Sequence, residues 1–391
     1  MVPKRMKLPE PSPDALEQSR TLQQLVAQRI GENNGWLSFA RYMELALYAP
    51  DLGYYSGGAR KFGPGGDFIT APELTPLFGQ ALAVQLEQVM QASGPHVIEV
   101  GAGTGVLAAD ILRALESRDA LPESYAILEL SGELRARQQQ TLADTVPHLL
   151  SRVSWLDRSP ERFCGVVIAN EVLDVMPVHL LVVRPDGIFE RGVVCDADAR
   201  LGWLEKPACG AVLATALALD MPVPQEGAYV TEVNLAARAW VTDWAERLDR
   251  GALLMIDYGY PRAEYYLPSR SNGTLLCYYR HRAHAEPLLW PGLNDITAFV
   301  DFTSVAEAAF DAGLDVAGYT SQASFLFNCG ILSLLAQRGP EQSPGYIRAA
   351  RAVQRLTTPQ EMGELFKVLA AVRGVAEPLI GFSRGDRLHA L

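Results

Sequence analysis

The chain has little with which to build covalent or metal staples. Its five cysteines (Cys164, Cys195, Cys209, Cys277 and Cys329) are odd in number, widely scattered and contain no C-x-x-C pair. That spacing argues against a disulfide framework and against a cysteine-based zinc site, and it suits a reducing compartment. There is no run of 18 apolar residues, so membrane insertion as a helix is not expected. Positive charge is also scarce: 34 Lys and Arg stand against 45 Asp and Glu, giving a formal net charge of -11. Phosphate contacts need a basic footprint, so no nucleic-acid partner is expected, and a cationic substrate is weakly favoured. The stretch MVPKRMKLPEPSPDALEQSR has basic residues but neither an apolar core nor a cleavage site. No export signal is read there, and the expected location is cytoplasmic.

What remains is the composition of a globular protein, 49% apolar and 20% charged over 391 residues, long enough for two or three domains or one domain with large insertions. Residues 14 to 49 carry apolar side chains at helical spacing, and a Gly- and Pro-rich stretch, GYYSGGARKFGPGGDFITAPELTPLFG, follows. From about residue 97 strands and helices alternate, the signature of βαβ units and a parallel sheet. VHLLVVRPDGIFERGVVCDADARLGWLE breaks the alternation with two β-rich runs around P-D-G, a hairpin inserted into the core. The core resumes with a helix that Gly251 is expected to stop, then the buried strand ALLMIDYGY. A polar loop over 259 to 302, a helix, a short strand, a helical insertion from about 322 to 356 and a last strand complete the chain. The expected division is a helical cap with a glycine-rich lid over 1–80 and an α/β core over 81–391, with insertions at 178–230 and 322–356.

The turn after the first core strand, VIEVGAGTGVLAAD, decides between cofactors. A dinucleotide fingerprint needs glycines at the first, third and sixth positions after a strand. Here Gly101, Gly103 and Gly105 hold the first, third and fifth, and Val106 stands at the sixth. An oxidoreductase is therefore the weakest candidate. Glu99, two residues before the turn, would repel a phosphate, whereas it complements the amino group and sulfonium of S-adenosylmethionine (SAM). Glu129, with Leu130 beside it, ends the next strand, where a carboxylate can accept hydrogen bonds from both ribose hydroxyls. Asp157, after the third strand, is placed to meet the adenine amino group. Helix capping or a solvated loop is the other reading of both acids.

These residues carry a family resemblance. EVGAGTG with an acid ending the next strand looks like a class I SAM-dependent methyltransferase. GYYS, FGPGGDFITAPELTPLFG, ANEVLDVMPV, IDYGY and CYYRHRAHAEPLLWPGLNDITAFVDF together resemble the MidA-like family. The resemblance runs in order from about Trp36 to the last strand. It implies an α/β class I fold, a Rossmann-like seven-stranded sheet with the last strand antiparallel, with an N-terminal helical cap and β and helical insertions. It also implies a protein arginine N-methyltransferase acting on a subunit of respiratory complex I (NADH:quinone oxidoreductase) during assembly. Where the family's D-I-T-A-H-V-D-F pattern is expected to carry histidine, this chain has Phe299, and no catalytic role is carried over to that position.

Methyl transfer from a sulfonium mainly requires alignment and exclusion of water, and a guanidinium acceptor adds the need for carboxylates to orient it. The fourth strand delivers Asn170, Glu171 and Asp174 to the sheet's carboxyl edge. Glu171 and Asp174, three apart, would share one side of a short helical turn and hold the guanidinium, with Asn170 shaping the site. A turn-capping Asp174 and a solvated Glu171 are the alternative. In GGDFITAPE, Gly65 and Gly66 permit close backbone approach, Asp67 can meet the cofactor's amino group, Phe68 can cover its methionine part, and Thr70 and Pro72 fix the strand's path. His281 and His284 are spaced like metal ligands, but no third or fourth ligand stands nearby in sequence, so no metal is expected. A small-molecule or other side-chain acceptor, and an inactive assembly chaperone, are the competing functions. The apolar FLFNCGILSLL is a candidate homodimer contact.

Overall fold

In the computed structural model, residues 8–57 and 70–391 are described. The chain divides into two compact units. One comprises Ile69–Leu173, Arg238–Arg262 and Val300–Leu391. It is built on seven strands: β1 (His96–Val100), β2 (Ser124–Leu128), β3 (Val153–Leu156), β4 (Phe163–Asn170), β5 (Leu248–Tyr260), β6 (Asp315–Ser321) and β7 (Phe366–Arg373). Their order across the sheet is β3-β2-β1-β4-β5-β7-β6. The pairs from β3 to β5 are parallel, and β7 runs antiparallel to both β5 and β6. A two-residue strand, Val300–Asp301, adds a parallel pair to the end of β5.

This is the expected α/β sheet with its last strand reversed, and the sequence dictates it. Strands such as Val166–Ala169 and Leu253–Ile256 are apolar on both faces and wholly buried, as strands covered by helices on both sides must be. Helix Val106–Ser117 buries Leu107, Ile111, Leu112 and Leu115 at helical spacing, and helix Pro76–Ser93 buries Leu82, Leu86 and Val89. The order reverses between β1 and β4, which opens a crevice at their carboxyl ends.

The other unit gathers Met1–Phe68, Asp174–Ala237 and Ala263–Phe299. The expected boundary at residue 80 therefore does not coincide with the division. The reason is packing: Leu22, Val26 and Ile30 of helix Pro13–Glu32 and Tyr42, Met43 and Ala46 of helix Phe39–Tyr48 share one core with Leu180, Val193, Cys277 and Ile296. Ser12 caps the first helix by accepting from the Ala15 N–H, with Pro13 at its first position. The inserted hairpin is present as His179–Arg184 and Gly187–Cys195, and it extends into a five-stranded sheet with Leu37–Ser38, Tyr229–Val233 and Leu201–Pro207. Within the stretch read as a polar loop, Leu276–Tyr279, Arg282–His284 and Asp295–Thr297 form a small antiparallel sheet. Among the described residues no helix is long and apolar enough to cross a membrane.

Gly251 does not stop a helix. The helix ends at Arg247, and Gly251 lies inside β5 directly opposite Gly165 of β4. Both have positive φ, 139° and 136°, and a Cβ on Gly251 would stand 1.8 Å from the Gly165 carbonyl oxygen. A Cβ on Gly165 would in turn collide with the His96 carbonyl oxygen of β1, so neither position admits a side chain. Gly251→Ala is expected to lower unfolding free energy by roughly 3 kcal/mol, read from denaturant midpoints, whereas Gly345→Ala, with nothing within 4 Å of the added atom, serves as the near-neutral control.

Candidate cofactor site

The glycine turn between β1 and helix Val106–Ser117 places three alternate residues in the left-handed region. Gly101, Gly103 and Gly105 have φ of 65°, 52° and 84°, a conformation that costs glycine least. A Cβ on Gly103 would find no heavy atom within 4 Å, so the turn leaves open space on that side. Gly105, by contrast, lies against the Gln138 backbone, 3.0 Å from where its Cβ would be. The Thr104 hydroxyl donates to Glu73, tying the turn to the short helix Ala71–Leu74.

Two carboxylates stand beside this turn, and both are nearly without solvent. Glu99, within β1, is 2% exposed and accepts a 2.6 Å hydrogen bond from the Tyr125 hydroxyl. Burial pushes its pKa up to about 7, and the negative field of Glu129 adds to the rise. Glu129 follows β2. Its Oε1 accepts from the Ser131 N–H and its Oε2 from the Gln138 side-chain amide, both at 2.9 Å. Burial raises its pKa as well, with those two hydrogen bonds opposing. Two buried negative groups at adjacent strand ends make a site for a ligand that brings positive charge and hydroxyl donors. Leu130, next in the chain, is 82% exposed, an apolar surface at the same edge.

Asp157 follows β3 with its side chain exposed and paired to Arg135 at 2.7 Å. Arg135 also donates to the carbonyls of Glu129 and Leu156, so it ties the ends of β2 and β3 together. Thr70 and Pro72 do not guide a strand: Thr70 is the N-cap and Pro72 an early residue of helix Ala71–Leu74. Gly65, Gly66, Asp67 and Phe68 lie outside the described residues.

Asn170 ends β4 and Glu171 follows with φ of 54°, a left-handed conformation that a glutamate rarely adopts. The Glu171 N–H still bonds the Ile256 carbonyl at 2.9 Å, and the Asp257 carboxylate receives the Leu173 N–H at 2.9 Å. The strand end is therefore clamped to β5 on both sides of the strained residue. The Glu171 Oε1 accepts from the Asn170 side chain at 3.2 Å and from the Ala71 N–H at 3.4 Å. No helical turn carries Glu171 and Asp174 on one side, because the left-handed Glu171 breaks it. Asp174 belongs to the other unit, where it is buried and its carbonyl accepts from Ala298.

Gln138 and Trp155 are the contributors that reading the sequence for motifs passes over. Only one carried a signal: Gln138 sits at the buried helical spacing Leu134, Gln138, Leu142, a polar residue on an apolar stripe. His284 is engaged on both ring nitrogens, by the Glu286 N–H and by Asn294, and burial lowers its pKa. Among the described residues no group of three or more His, Cys, Asp or Glu is placed to hold a metal ion.

Comparison with known proteins accounts for this arrangement. Residues 77–320 match the family described as "Putative S-adenosyl-L-methionine-dependent methyltransferase". A protein of Burkholderia thailandensis, solved with S-adenosyl-homocysteine (SAH) bound, is 50% identical, with a TM-score of 0.94 over 98% of this chain and all of that one. The mitochondrial protein arginine methyltransferase NDUFAF7 of Mus musculus is 31% identical over 87% of this chain and 81% of its own. The NDUFAF7 homolog of Drosophila melanogaster is 29% identical over 97% and 93%. The open turn, the paired carboxylates and the exposed Leu130 fit SAM, which supplies an electrophilic methyl group when bound. Glu99 and Glu129 would meet its polar groups.

Glu99 gives the site a pH dependence with a definite sign. Its folded pKa of about 7 lies above the ordinary carboxylate value of 4.5, so its contribution to stability is complete below pH 4.5 and is lost as pH rises through about 7. A cationic amino group favours the ionised form, so SAH affinity should rise across the same interval with proton release. Glu99→Gln should flatten both trends and weaken SAH binding about tenfold, measured by calorimetry in buffers of different ionisation heat and by melting temperature. With the match spanning both the glycine turn and the strand ends around it, the chain belongs to the family of S-adenosyl-L-methionine-dependent methyltransferases.

Proposed function

We propose that the protein is a protein arginine N-methyltransferase, and that its substrate is a subunit of respiratory complex I modified during assembly. The observation that carries this reading is similarity along nearly the whole chain, 97% of it, to a protein named as an arginine methyltransferase. The residues are compatible with the chemistry. A guanidinium is cationic and delocalised, so carboxylates must orient it and draw charge onto the unreactive nitrogens. Glu171, fixed in a left-handed conformation with a side-chain oxygen held by Asn170 and Ala71, supplies such a carboxylate at the carboxyl edge of β4. In the other unit Asp174 and Asp295 are both buried; Tyr55 donates to Asp295, and burial together with these negative fields raises the pKa of Tyr55 and Tyr278. A net charge of -11 suits a basic segment of a protein substrate.

A cytoplasmic location is proposed on the five scattered free cysteines. The proposed homodimer contact would use Phe327 and Leu332, both substantially exposed on the helical insertion, and sedimentation of Leu332→Glu against wild type tests it. For the activity, complex I subunits from cells with and without the protein are compared by mass spectrometry for a methylated arginine. Glu171→Gln is expected to lower turnover on that substrate roughly 100-fold while leaving SAH affinity within about threefold. Methylation of a metabolite instead would establish the small-molecule alternative. Tight SAH binding with no methylated product, and complex I assembly restored by Glu171→Gln, would establish the chaperone reading that Phe299 favours.

A further inference from the structure

We infer that Gln138 is a positioning residue for the cofactor, coupling the glycine turn after β1 to the carboxylate that follows β2. Its side chain is wholly buried on helix Gly132–Thr145. Its Nε2 donates to the Gly103 carbonyl at 3.1 Å and to the Glu129 Oε2 at 2.9 Å. Its Oε1 accepts from the Trp155 indole N–H at 3.0 Å.

The third bond fixes the first two. An indole N–H can only donate, so the oxygen of the amide must face Trp155, and the NH₂ must then face the turn and the carboxylate. Two N–H hydrogens meet two acceptors, and the amide has no alternative orientation that satisfies all three partners. Trp155 lies in β3. One amide therefore ties together the turn beyond β1, the acid beyond β2 and a side chain of β3.

The consequence concerns geometry rather than contact. Glu129 retains acceptor capacity on each oxygen after its bonds to Ser131 and Gln138, and those bonds hold both oxygens in place before a ligand arrives. Gly103 is held through its carbonyl at the point where the turn faces open space. A ligand that bridges the turn and Glu129 meets two fixtures whose separation is set by Gln138. Without it the carboxylate would be free to rotate, and part of the binding energy would go into ordering it.

The inference rests on Glu129 as a cofactor ligand, so Glu129→Gln is measured beside the Gln138 variants. SAH affinity is determined calorimetrically between pH 5.5 and 8.5, with thermal unfolding of each ligand-free protein alongside. Gln138→Leu is expected to weaken SAH binding at least tenfold. Gln138→Glu is the sharper probe. At low pH the introduced carboxyl keeps its single proton and donates it to Glu129, so binding is largely retained although the Gly103 carbonyl loses its donor; as the proton leaves, two carboxylates repel and affinity falls at least tenfold. That slope is opposite in sign to the one Glu99 gives the wild type, and a merely structural role would lower melting temperature without reversing it. Trp155→Phe should give an intermediate loss by releasing the amide's orientation. Affinity within twofold of wild type for both Gln138 variants across the pH range, with Glu129→Gln strongly weakened, overturns the inference. Unchanged binding in Glu129→Gln overturns the ligand assignment instead.

Discussion

Two carboxylates buried at the ends of neighbouring parallel strands are the constraint around which the sheet's carboxyl edge is arranged. Glu99 and Glu129 repel one another and have lost most of their water, a configuration that is unfavourable at neutral pH unless hydrogen bonds hold the charges. The surroundings answer that need: the Tyr125 hydroxyl for Glu99, the Ser131 amide and the Gln138 side chain for Glu129. Each of these donors comes from the strand or helix that the βαβ geometry brings alongside. The destabilisation that remains is what a positively charged ligand can relieve, which is why such groups belong to binding sites more often than to cores.

A second strained position lies at the end of β4. Glu171 sits in a conformation that a long side chain avoids, and it persists because the Ile256 carbonyl and the Asp257 carboxylate hold the backbone on either side. Asp257 is fully buried and its oxygens are occupied by the amides of Leu173 and Tyr258, so it shapes the strand end rather than facing a ligand.

Much of the fold was legible in the sequence. Continuous apolar strands alternating with amphipathic helices, and three glycines after an acid-ended strand, have few physical solutions. The misread features are those that depend on distance in space. Gly251 looked like a helix stop because glycine commonly is one, whereas its reason is the close approach of Gly165 on the neighbouring strand. The strands within 276–297 are three or four residues long, too short to show alternation, and their pairing comes from the shared core with the N-terminal helices. Glu171 and Asp174 were grouped by helical spacing, and a single left-handed residue removed the helix. Gln138 had a signal in its buried spacing, but its role rests on three partners, Gly103, Glu129 and Trp155, that lie 17 to 35 residues away or, for Glu129, nine.

The placement of β7 has a consequence for how the molecule is made. This strand, among the last elements of the chain, is wedged between β5 and β6, which do not pair with each other. A nascent chain on the ribosome can assemble β1 to β5 early, but the open side of β5, with Leu253, Leu254 and Met255 along it, stays uncovered until Phe366–Arg373 emerges. During that interval the growing chain presents a long apolar strand edge of the kind that recruits other strands. Pairing of Phe366–Arg373 is therefore the step that seals the sheet, and the growing chain is most exposed to chaperones and aggregation until that strand is in place.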